Sequence, residues 1–335
     1  MSKFSLDVLE RCVFPFVAAG NDDIVLGSSF GEDVALTKVG GDILASHVDP
    51  IVGAIGNIGW LAVHVACNDI AASGIPPRWV LLLVLVPDIG DEELLEQIMR
   101  DARHAADEIG VSIIGGHTGY SSNLSRPLVS VTALGNAGTR TPVRTGGAQR
   151  GDLVLVTKGI ALEGTGILAV DFEDIAKERG ITDEERKEAV RLMNNVSVVR
   201  EALVLAEQGA TAMHDVTRGG LLETLLEIAA LSKKALTIDA DCLPIDPVVR
   251  RFAQAFEFDP LKMISSGTLA VTIPPEKKEV LSKALDRIDI PHAFVGKVTE
   301  GKGVSIRRGN DVSNFDEIRC EEDELARLWA LYPRS

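Results

Sequence analysis

The sequence lacks the features that mark secreted, cysteine-ligated and membrane-spanning proteins. Its four cysteines form no C-x-x-C pair and no closely spaced even set, which is typical of reduced thiols rather than a disulfide scaffold or zinc site. The N-terminal residues contain no apolar signal-peptide core. The longest apolar run, residues 79–86, is too short to cross a bilayer. These absences predict a soluble cytoplasmic protein.

Positive charge and aromatic rings are also scarce. Lys and Arg number 34 against 49 Asp and Glu, and the net charge of −15 argues against a nucleic-acid or anionic-membrane partner. It does not argue against ATP, because a bound metal ion can invert the local field of an acidic site. Aromatic residues make up 4% of a chain that is 46% hydrophobic, so the sequence predicts a core of Val, Leu, Ile and Ala.

One long stretch without basic residues contains an unusual carboxylate. No Lys or Arg lies between Lys38 and Arg78, yet Asn68-Asp69 occurs within an apolar segment of helical periodicity. Burying an unpaired carboxylate costs roughly several kcal/mol, so it must be paired, neutralised or bound to a cation.

Four further acidic residues lie in similar apolar or glycine-rich surroundings: Asp33, Asp49, Asp215 and Asp259. Asp33, Asp49 and Asp259 could each also be a turn or cap carboxylate. Taken together, the set indicates a Mg²⁺ site assembled from distant loops, with a polyphosphate as the other ligand.

The order of elements predicts an α+β fold in two domains. Helical periodicity and apolar runs place the elements as follows: helices over 54–73, 91–109, 182–207 and 220–232, and strands over 79–86, 128–134, 268–273 and 293–298. The mixture, with antiparallel-looking pairs, favours two α+β layers over a doubly wound parallel sheet. The strand at 79–86 is expected to be buried on both faces.

The composition of residues 140–150 is that of a linker and sets the predicted boundaries. We expect an N-terminal domain over 1–148, a C-terminal domain over 149–310 and a helix or tail over 311–335.

Gly115-Gly116-His117-Thr118 follows a predicted strand. A glycine-rich turn there would offer backbone N–H groups to an anion. His117 could contact phosphate or a metal, or be a structural histidine. His64, on the apolar helix, is expected to be a packed core histidine.

A second cluster of polar residues is His214-Asp215-Val-Thr217-Arg218-Gly219-Gly220, at the start of a predicted helix. Helix N-termini favour anions, and a guanidinium can bind phosphate through two hydrogen bonds. The alternative is that Thr217 is an N-cap and Arg218 a solvated charge. Lys158 and Glu163 flank a glycine loop that could close over a substrate.

These motifs, in this order, resemble those of the aminoimidazole-ribonucleotide synthetase (PurM-like) superfamily. The matching segments are Gly31-Glu-Asp-Val-Ala, Ser46-His-Val-Asp-Pro, Asn68-Asp-Ile-Ala-Ala-Ser-Gly, Gly115-Gly-His-Thr and His214-Asp-Val-Thr-Arg-Gly-Gly-Leu. The last segment, with Asp259-Pro-Leu and Ser266-Gly, is most similar to the HypE branch, which contains the carbamoyl dehydratases of hydrogenase maturation.

The resemblance implies a PurM-like fold whose N-terminal strands form a homodimer interface, with ATP and Mg²⁺ in a cleft. It implies Mg²⁺ ligation by Asp33, Asp69 and Asp215. The implied catalytic residues are Asp49, His117, Asp215 and Arg218. The implied nucleotide-binding residues are Gly31, Asp33, Asn68, Gly115, Gly116, Thr118, Thr217 and Gly219.

The expected activity is HypE-like: ATP phosphorylates an amide or carbonyl oxygen, so that displacement or dehydration can follow. The acceptor would be a small molecule or a protein tail, with a possible maturation-protein partner.

The sequence departs from the HypE pattern in two places. It ends Leu331-Tyr-Pro-Arg-Ser335 without the terminal cysteine of that branch, and it has Gly-Gly-His-Thr where HypE has Gly-Asp-Thr. Two alternatives therefore stay open. One is a small-molecule kinase similar to thiamine-monophosphate kinase, and the other is a HypE-derived maturation scaffold without catalysis.

Overall fold

The computed structural model describes residues 4, 6–17, 21–52, 56–317 and 323–332. The fourth cysteine, Cys320, and the last three residues of the chain lie outside these ranges. Contacts divide the chain into two compact units, with the main division between residues 142 and 143, inside the linker-like stretch. The second unit also includes residues 6–16 and 29–32. The predicted boundary at 148/149 and the separate tail from 311 stay predictions.

The first unit contains a six-stranded sheet and two helices. Its described elements are β1 (Ile24–Leu26), β2 (Ala35–Val39), β3 (Asp42–Val52), α2 (Ile58–Ala72), β4 (Pro77–Val86), α3 (Glu92–Ile109), β5 (Ser112–Tyr120) and β6 (Leu128–Asn136). The strand order is β1-β2-β3-β6-β4-β5, and every pair is antiparallel except β4 with β5. A mixed sheet of this kind confirms the α+β prediction for this half.

Helix α2 is buried around most of its circumference because it packs against α3 and against strands β3 and β6. Gly59 permits the close approach to α3, since a Cβ there would lie 2.1 Å from the carbonyl oxygen of Ile98. Helix α3 is amphipathic, with Ile98 and three alanines buried, and Gly110 ends it in the left-handed region at φ 69°. Both predicted helices are confirmed within their described residues.

Two predictions about this sheet are wrong. In β4, buried residues alternate with half-buried ones, so only one face of the strand is covered in this chain. Gly115 and Gly116 lie inside β5 rather than in a turn. Gly116 has φ 148°, and a Cβ there would lie 1.9 Å from the carbonyl oxygen of Leu82 on β4. The glycines therefore keep the two backbones close beside a register shift in β4, and the strand continues through them.

The second unit contains a seven-stranded sheet, with nine α-helices among its described residues. Its elements are α1 (Leu6–Cys12), β7 (Leu153–Thr157), α4 (Leu162–Asp171), α5 (Glu173–Glu178), α6 (Asp183–Leu192), α7 (Val199–Gln208), β8 (Ala212–Asp215), α8 (Gly220–Ser232), β9 (Ala235–Asp239), α9 (Pro247–Phe256), β10 (Leu269–Ile273), α10 (Lys278–Asp286), β11 (His292–Thr299), β12 (Gly303–Arg308), β13 (Asp311–Phe315) and α11 (Glu324–Leu331). The strand order is β13-β12-β9-β11-β7-β10-β8, and only β12 with β9 is parallel. The predicted helix over 220–232 and the strands near 268–273 and 293–298 are confirmed.

The single helix predicted over 182–207 is two helices, α6 and α7. The break lies at residues 196–198, and Lys158 stabilises it, because its Nζ donates to Asn195 O at 2.9 Å and to Ser197 O at 2.6 Å. Gly267 also packs against this segment, since a Cβ there would lie 2.2 Å from the Asn195 carbonyl oxygen. Helical periodicity continues through the break, so the sequence alone did not reveal it.

Among the described residues, no helix combines the length and apolar character that a membrane crossing requires.

Candidate functional site

In the first unit, the buried pair Asn68-Asp69 of α2 faces a histidine of β3. Asp69 is only 7% exposed, and its Oδ2 lies 3.4 Å from Nε2 of His47. The other ring nitrogen, Nδ1, makes a short hydrogen bond with the backbone carbonyl of Asp33. One imidazole therefore links two segments that the sequence predicts to bind metal.

His47 was missed by the sequence reasoning. The signal was available, because side chains two residues apart on a strand point to the same face, and His47 lies two residues before Asp49. Asp49 is half-buried in β3 opposite Val131 of β6, and Asp33 is half-buried just before β2. The donor set of carboxylates, a buried amide and an imidazole fits a divalent cation by its chemistry.

The residues of the glycine motif lie on an open strand. Gly115, Gly116, His117 and Thr118 are exposed, and β5 is the last strand of its sheet. In a parallel edge strand, only alternate backbone groups bond to the neighbouring strand, so β5 still presents N–H groups outward. The prediction of a glycine turn is wrong, yet accessible backbone donors remain at this place.

In the second unit, Asp215 ends β8 with its side chain fully buried. The preceding His214 is also buried, with Nε2 3.1 Å from Oε2 of Glu227 on α8. Glu32 lies near them, and burial raises its pKa, although Arg144 at 3.9 Å, a backbone hydrogen bond and His214 act in the opposite direction. This corner of the unit is therefore rich in buried carboxyl groups.

Gly31 belongs to the same unit. Its φ of 75° favours glycine, and a Cβ there would lie 3.1 Å from Leu231 and 3.3 Å from Glu227 of α8. A side chain would thus crowd the helix beside His214. This backbone requirement explains why glycine is needed at this predicted nucleotide-binding position.

The loop between β8 and α8 brings Thr217, Arg218 and Gly219 to the start of the helix. Gly219, not Thr217, is the N-cap residue, at φ 80°. Its N–H donates to the buried carboxylate of Asp323 at 3.0 Å. A cavity of about 500 Å³ lies beside Gly219, lined by α8 residues, Lys262 and residues 314–317. This volume is within the range of small-molecule sites, and the cavity adjoins the helix start.

The predicted glycine loop between Lys158 and Glu163 is a short connection, residues 158–161, and the side chains at its two ends are buried. Glu163 lies in the first turn of α4, where burial raises its pKa, while Ser266 and Arg218 partly offset that effect. Lys158 is fixed in a buried ion pair, with Nζ 2.7 Å from Oε1 of Glu201. These two groups order the interior of the unit.

Two other predictions about single residues are resolved. Asp259 is a cap, because its Oδ1 accepts a hydrogen bond from the N–H of Leu261 at 3.0 Å. His64 is a buried core histidine, with Nε2 2.9 Å from Oε2 of Glu108. Neither residue belongs to the candidate site.

Two family models match the chain. The model for the N-terminal domain of AIR synthase related proteins matches residues 31–137, and the model for their C-terminal domain matches residues 149–309.

Curated relatives of two kinds are similar over most of the chain. Carbamoyl dehydratase HypE of Rhizobium leguminosarum bv. viciae is 27% identical over 272 residues, which cover 81% of this chain and 74% of the relative. Thiamine-monophosphate kinase of Haemophilus influenzae is 26% identical over 326 residues, which cover 87% of this chain and 92% of the kinase.

Solved structures agree in fold. Hydrogenase maturation protein HypE in complex with ATP matches with a TM-score of 0.70 at 23% identity, over 83% of this chain and 86% of that one. A chain of the HypE–HypF complex matches with a TM-score of 0.73 at 22% identity, over 85% of this chain and 93% of that one. Together with the two family models, this likeness shows that the chain belongs to the AIR synthase related, PurM-like superfamily.

Proposed function

We propose that this protein is an ATP-dependent enzyme that activates an amide or carbonyl oxygen by phosphoryl transfer, as a HypE-like enzyme would. The observation that carries the proposal is the buried Asp69 carboxylate of α2 facing His47 of β3. Carboxylate oxygens are the ligands that Mg²⁺ prefers, so a divalent cation carrying a nucleotide fits beside Asp69. The ATP named in the HypE crystal structure of the same fold supports the choice of nucleotide.

The proposed ligands of Mg²⁺ are Asp33 and Asp69 in the first unit and Asp215 in the second. When bound, the metal would neutralise charge on the transferring phosphoryl group. Asp49, on the His47 face of β3, would lie close to the phosphates and orient them through the ion. Asn68 is fully buried beside Asp69 and is proposed to bind the nucleotide through its neutral side-chain amide.

Backbone donors are the proposed anchors of the nucleotide. Gly115, Gly116 and Thr118 present N–H groups on the open strand β5, and Gly31 gives the backbone the positive φ it needs near α8. His117, exposed on the same strand, is proposed to contact the phosphates.

The acceptor is proposed to bind in the second unit. Thr217, Arg218 and Gly219 lie at the start of a 13-residue helix, where an anionic intermediate gains from the helix dipole and from the guanidinium. Because Arg218 is half-buried, its charge is less screened than that of a surface arginine.

A small-molecule kinase is the second candidate, and the length of the match to thiamine-monophosphate kinase favours it. Phosphorus NMR of the products separates the two reactions. A dehydrating enzyme releases ADP and inorganic phosphate, whereas a kinase leaves the phosphoryl group on the acceptor. A carboxamide peptide and thiamine monophosphate are the acceptors to compare. An absence of ADP release with either acceptor, despite tight ATP binding, would support a non-catalytic scaffold.

A homodimer is part of the proposal. Alternate residues of β4, such as Leu81 and Leu83, are half-buried and lie opposite Thr132 and Ser130 of β6, forming a partly open apolar face. A second copy would cover that face. Sedimentation that gives the mass of a single 35.8 kDa chain at micromolar concentration would contradict the dimer.

The HypE–HypF complex supports a maturation protein as a further partner.

The test of the proposed function is Asp69→Asn, with Asp259→Asn as the matched control. Both changes remove one carboxylate charge, but Asp259 only caps a short turn, and asparagine caps equally well. We expect Asp69→Asn to weaken Mg·ATP binding at least about tenfold, because a direct metal ligand is lost, while the control binds as the wild type does. Isothermal titration calorimetry measures both affinities. Equal affinities in the two variants would contradict the metal assignment.

A further inference from the structure

Two helices of the second unit, α4 and α8, begin against the same short segment, residues 261–266. At Gly220, the first residue of α8, a Cβ would lie 2.5 Å from the carbonyl oxygen of Leu261. In the first turn of α4, the N–H of Gly164 donates to the carbonyl oxygen of Ile264 at 3.1 Å. One segment therefore fixes the N-terminal ends of both helices, and negative charge is favoured at each of them.

Glu163 is the acidic side chain at the start of α4. It is 5% exposed, and its Oε2 accepts the N–H of Ser266 at 3.2 Å. Burial raises the pKa of Glu163, and the charge of Asp323 acts in the same direction, whereas hydrogen bonds from Ser266 and the charge of Arg218 act against it. A carboxylate whose pKa is raised is a stronger base than a surface glutamate.

Arg218 brings the opposite charge to this place. It is half-buried directly before the start of α8, and its charge acts on Glu163. A guanidinium only donates hydrogen bonds, and a carboxylate only accepts them. A carboxamide has the complementary groups, because its oxygen accepts and its nitrogen donates. The pair of Arg218 and Glu163 therefore fits an amide at the helix start where the acceptor is proposed to bind.

We propose that Glu163 is a catalytic residue that takes a proton from the nitrogen of a carboxamide acceptor, while Arg218 binds the oxygen that becomes phosphorylated. This inference rests on the proposed function. It adds to that function the base of the reaction and the residue that distinguishes an amide from an alcohol acceptor.

The reaction has two steps at the acceptor. Transfer of the γ-phosphoryl group of ATP to the amide oxygen releases ADP, one N–H proton passes to solvent, and an O-phosphorylated imidate remains. Glu163 then takes the remaining N–H proton. The electron pair of that N–H bond becomes the third carbon–nitrogen bond as the carbon–oxygen bond breaks, so the products are a nitrile and phosphate. Arg218 stabilises the charge on the departing phosphate.

The test uses Glu163→Gln in the full-length protein. The glutamine oxygen can still accept the N–H of Ser266, but the amide cannot take a proton. Glu185→Gln is the matched control, because Glu185 is also a first-turn glutamate whose carboxylate accepts a backbone N–H, that of Thr182 at 2.7 Å. Each protein is mixed with Mg·ATP and a carboxamide peptide in a single turnover, and ADP and phosphate are timed separately.

We expect phosphate to follow ADP closely in the wild type and in Glu185→Gln. In Glu163→Gln, ADP should form at a rate close to that of the wild type, whereas phosphate release should slow at least about a hundredfold. The phosphorylated acceptor should then accumulate and be visible by phosphorus NMR. The rate of phosphate release should fall in the wild type as pH falls through the pKa of Glu163, and this dependence should be absent from Glu163→Gln.

Unchanged phosphate release in Glu163→Gln, or an equal slowing of ADP formation, would overturn the inference. A wild-type rate of phosphate release that does not fall in acid would also overturn it, and this measurement does not depend on the folding of a variant. If the wild type releases ADP and phosphate with the carboxamide peptide but Glu163→Gln does the same, only the role of Glu163 is wrong. If the wild type forms no ADP with this acceptor, or leaves the phosphoryl group on it, the proposed function is wrong as well.

Discussion

Two contacts between ionisable side chains, Lys158 with Glu201 and His47 with Asp69, differ in how far they are closed to solvent. In the second unit, Lys158 places its Nζ 2.7 Å from Glu201, within hydrogen-bonding distance of two carbonyl oxygens. In the first unit, Nε2 of His47 lies 3.4 Å from Oδ2 of Asp69, and the two side chains are 22% and 10% exposed. The first pair is closed to solvent, whereas the second is more open and lies where we propose that a cation binds. Closed geometry indicates a structural role, and acidic groups at a more accessible place are compatible with a binding site.

The largest effect is expected from breaking the closed contact. Lys158→Met leaves the carboxylate of Glu201, 1% exposed, without its ammonium partner, and should lower the free energy of unfolding by about 3–5 kcal/mol. Urea denaturation measures the change. Lys177→Met is the control, because Lys177 makes an exposed pair with Glu173 one helical turn away and should cost less than about 1 kcal/mol.

The double variant Lys158→Met with Glu201→Leu should recover much of the loss, because no charge is then left buried. A small effect of Lys158→Met would mean that the two buried contacts are not different in kind.

A smaller effect sharpens the comparison between acids. Asp259 has the same apolar context in the sequence as Asp69, but it accepts a backbone N–H at 3.0 Å. Asp259→Ala should cost about 1 kcal/mol of stability through loss of that cap and leave cation binding unchanged. Thermal unfolding and a Mn²⁺ titration of the same sample check both parts. A loss of metal affinity in this variant would place Asp259 in the site.

The smallest effect is expected at Glu108, a second carboxylate of the first unit that is hydrogen-bonded to a histidine, His64. Burial acts to raise the pKa of Glu108, but hydrogen bonds from Trp60 and His64 and the nearby imidazoles outweigh it, so the pKa lies below its ordinary value of 4.5. Because the folded value is lowered, the stabilisation is present above the unfolded pKa and is lost as pH falls through the folded one.

Glu108→Gln removes this acid-linked stabilisation. The stability difference between wild type and Glu108→Gln should therefore shrink between pH 6 and pH 3, as measured by urea unfolding at each pH. Glu93→Gln, an exposed change on the same helix, should show no such trend. A difference that stays constant with pH would mean that the contacts of Glu108 do not favour its charged form.

Much of the fold could be read from local sequence. Helix α3 was predicted within one residue at its start, with its left-handed glycine at the end, because amphipathic periodicity and a glycine C-cap act over a few residues. Helix α8 was predicted at its observed bounds for the same reason. The order of motifs identified the superfamily, which both domain models confirm.

The errors share one physical cause, which is contact between segments far apart in the chain. The break in the predicted helix 182–207 is held by Lys158, a residue distant in sequence, whose Nζ donates to two carbonyl oxygens there. Gly116 looks like a turn residue but serves the close approach of β5 to β4. His47 drew no attention because its significance depends on Asp33 and Asp69, which lie outside its own strand.

The sequence by itself determined the superfamily, the α+β class and the positions of helices α2, α3 and α8, since periodicity, capping and motif order are carried by neighbouring residues. Only the tertiary structure decided which charged groups form closed ion pairs and which glycines serve the close approach of two strands. Those contacts depend on distances between atoms on different elements, and packing sets those distances.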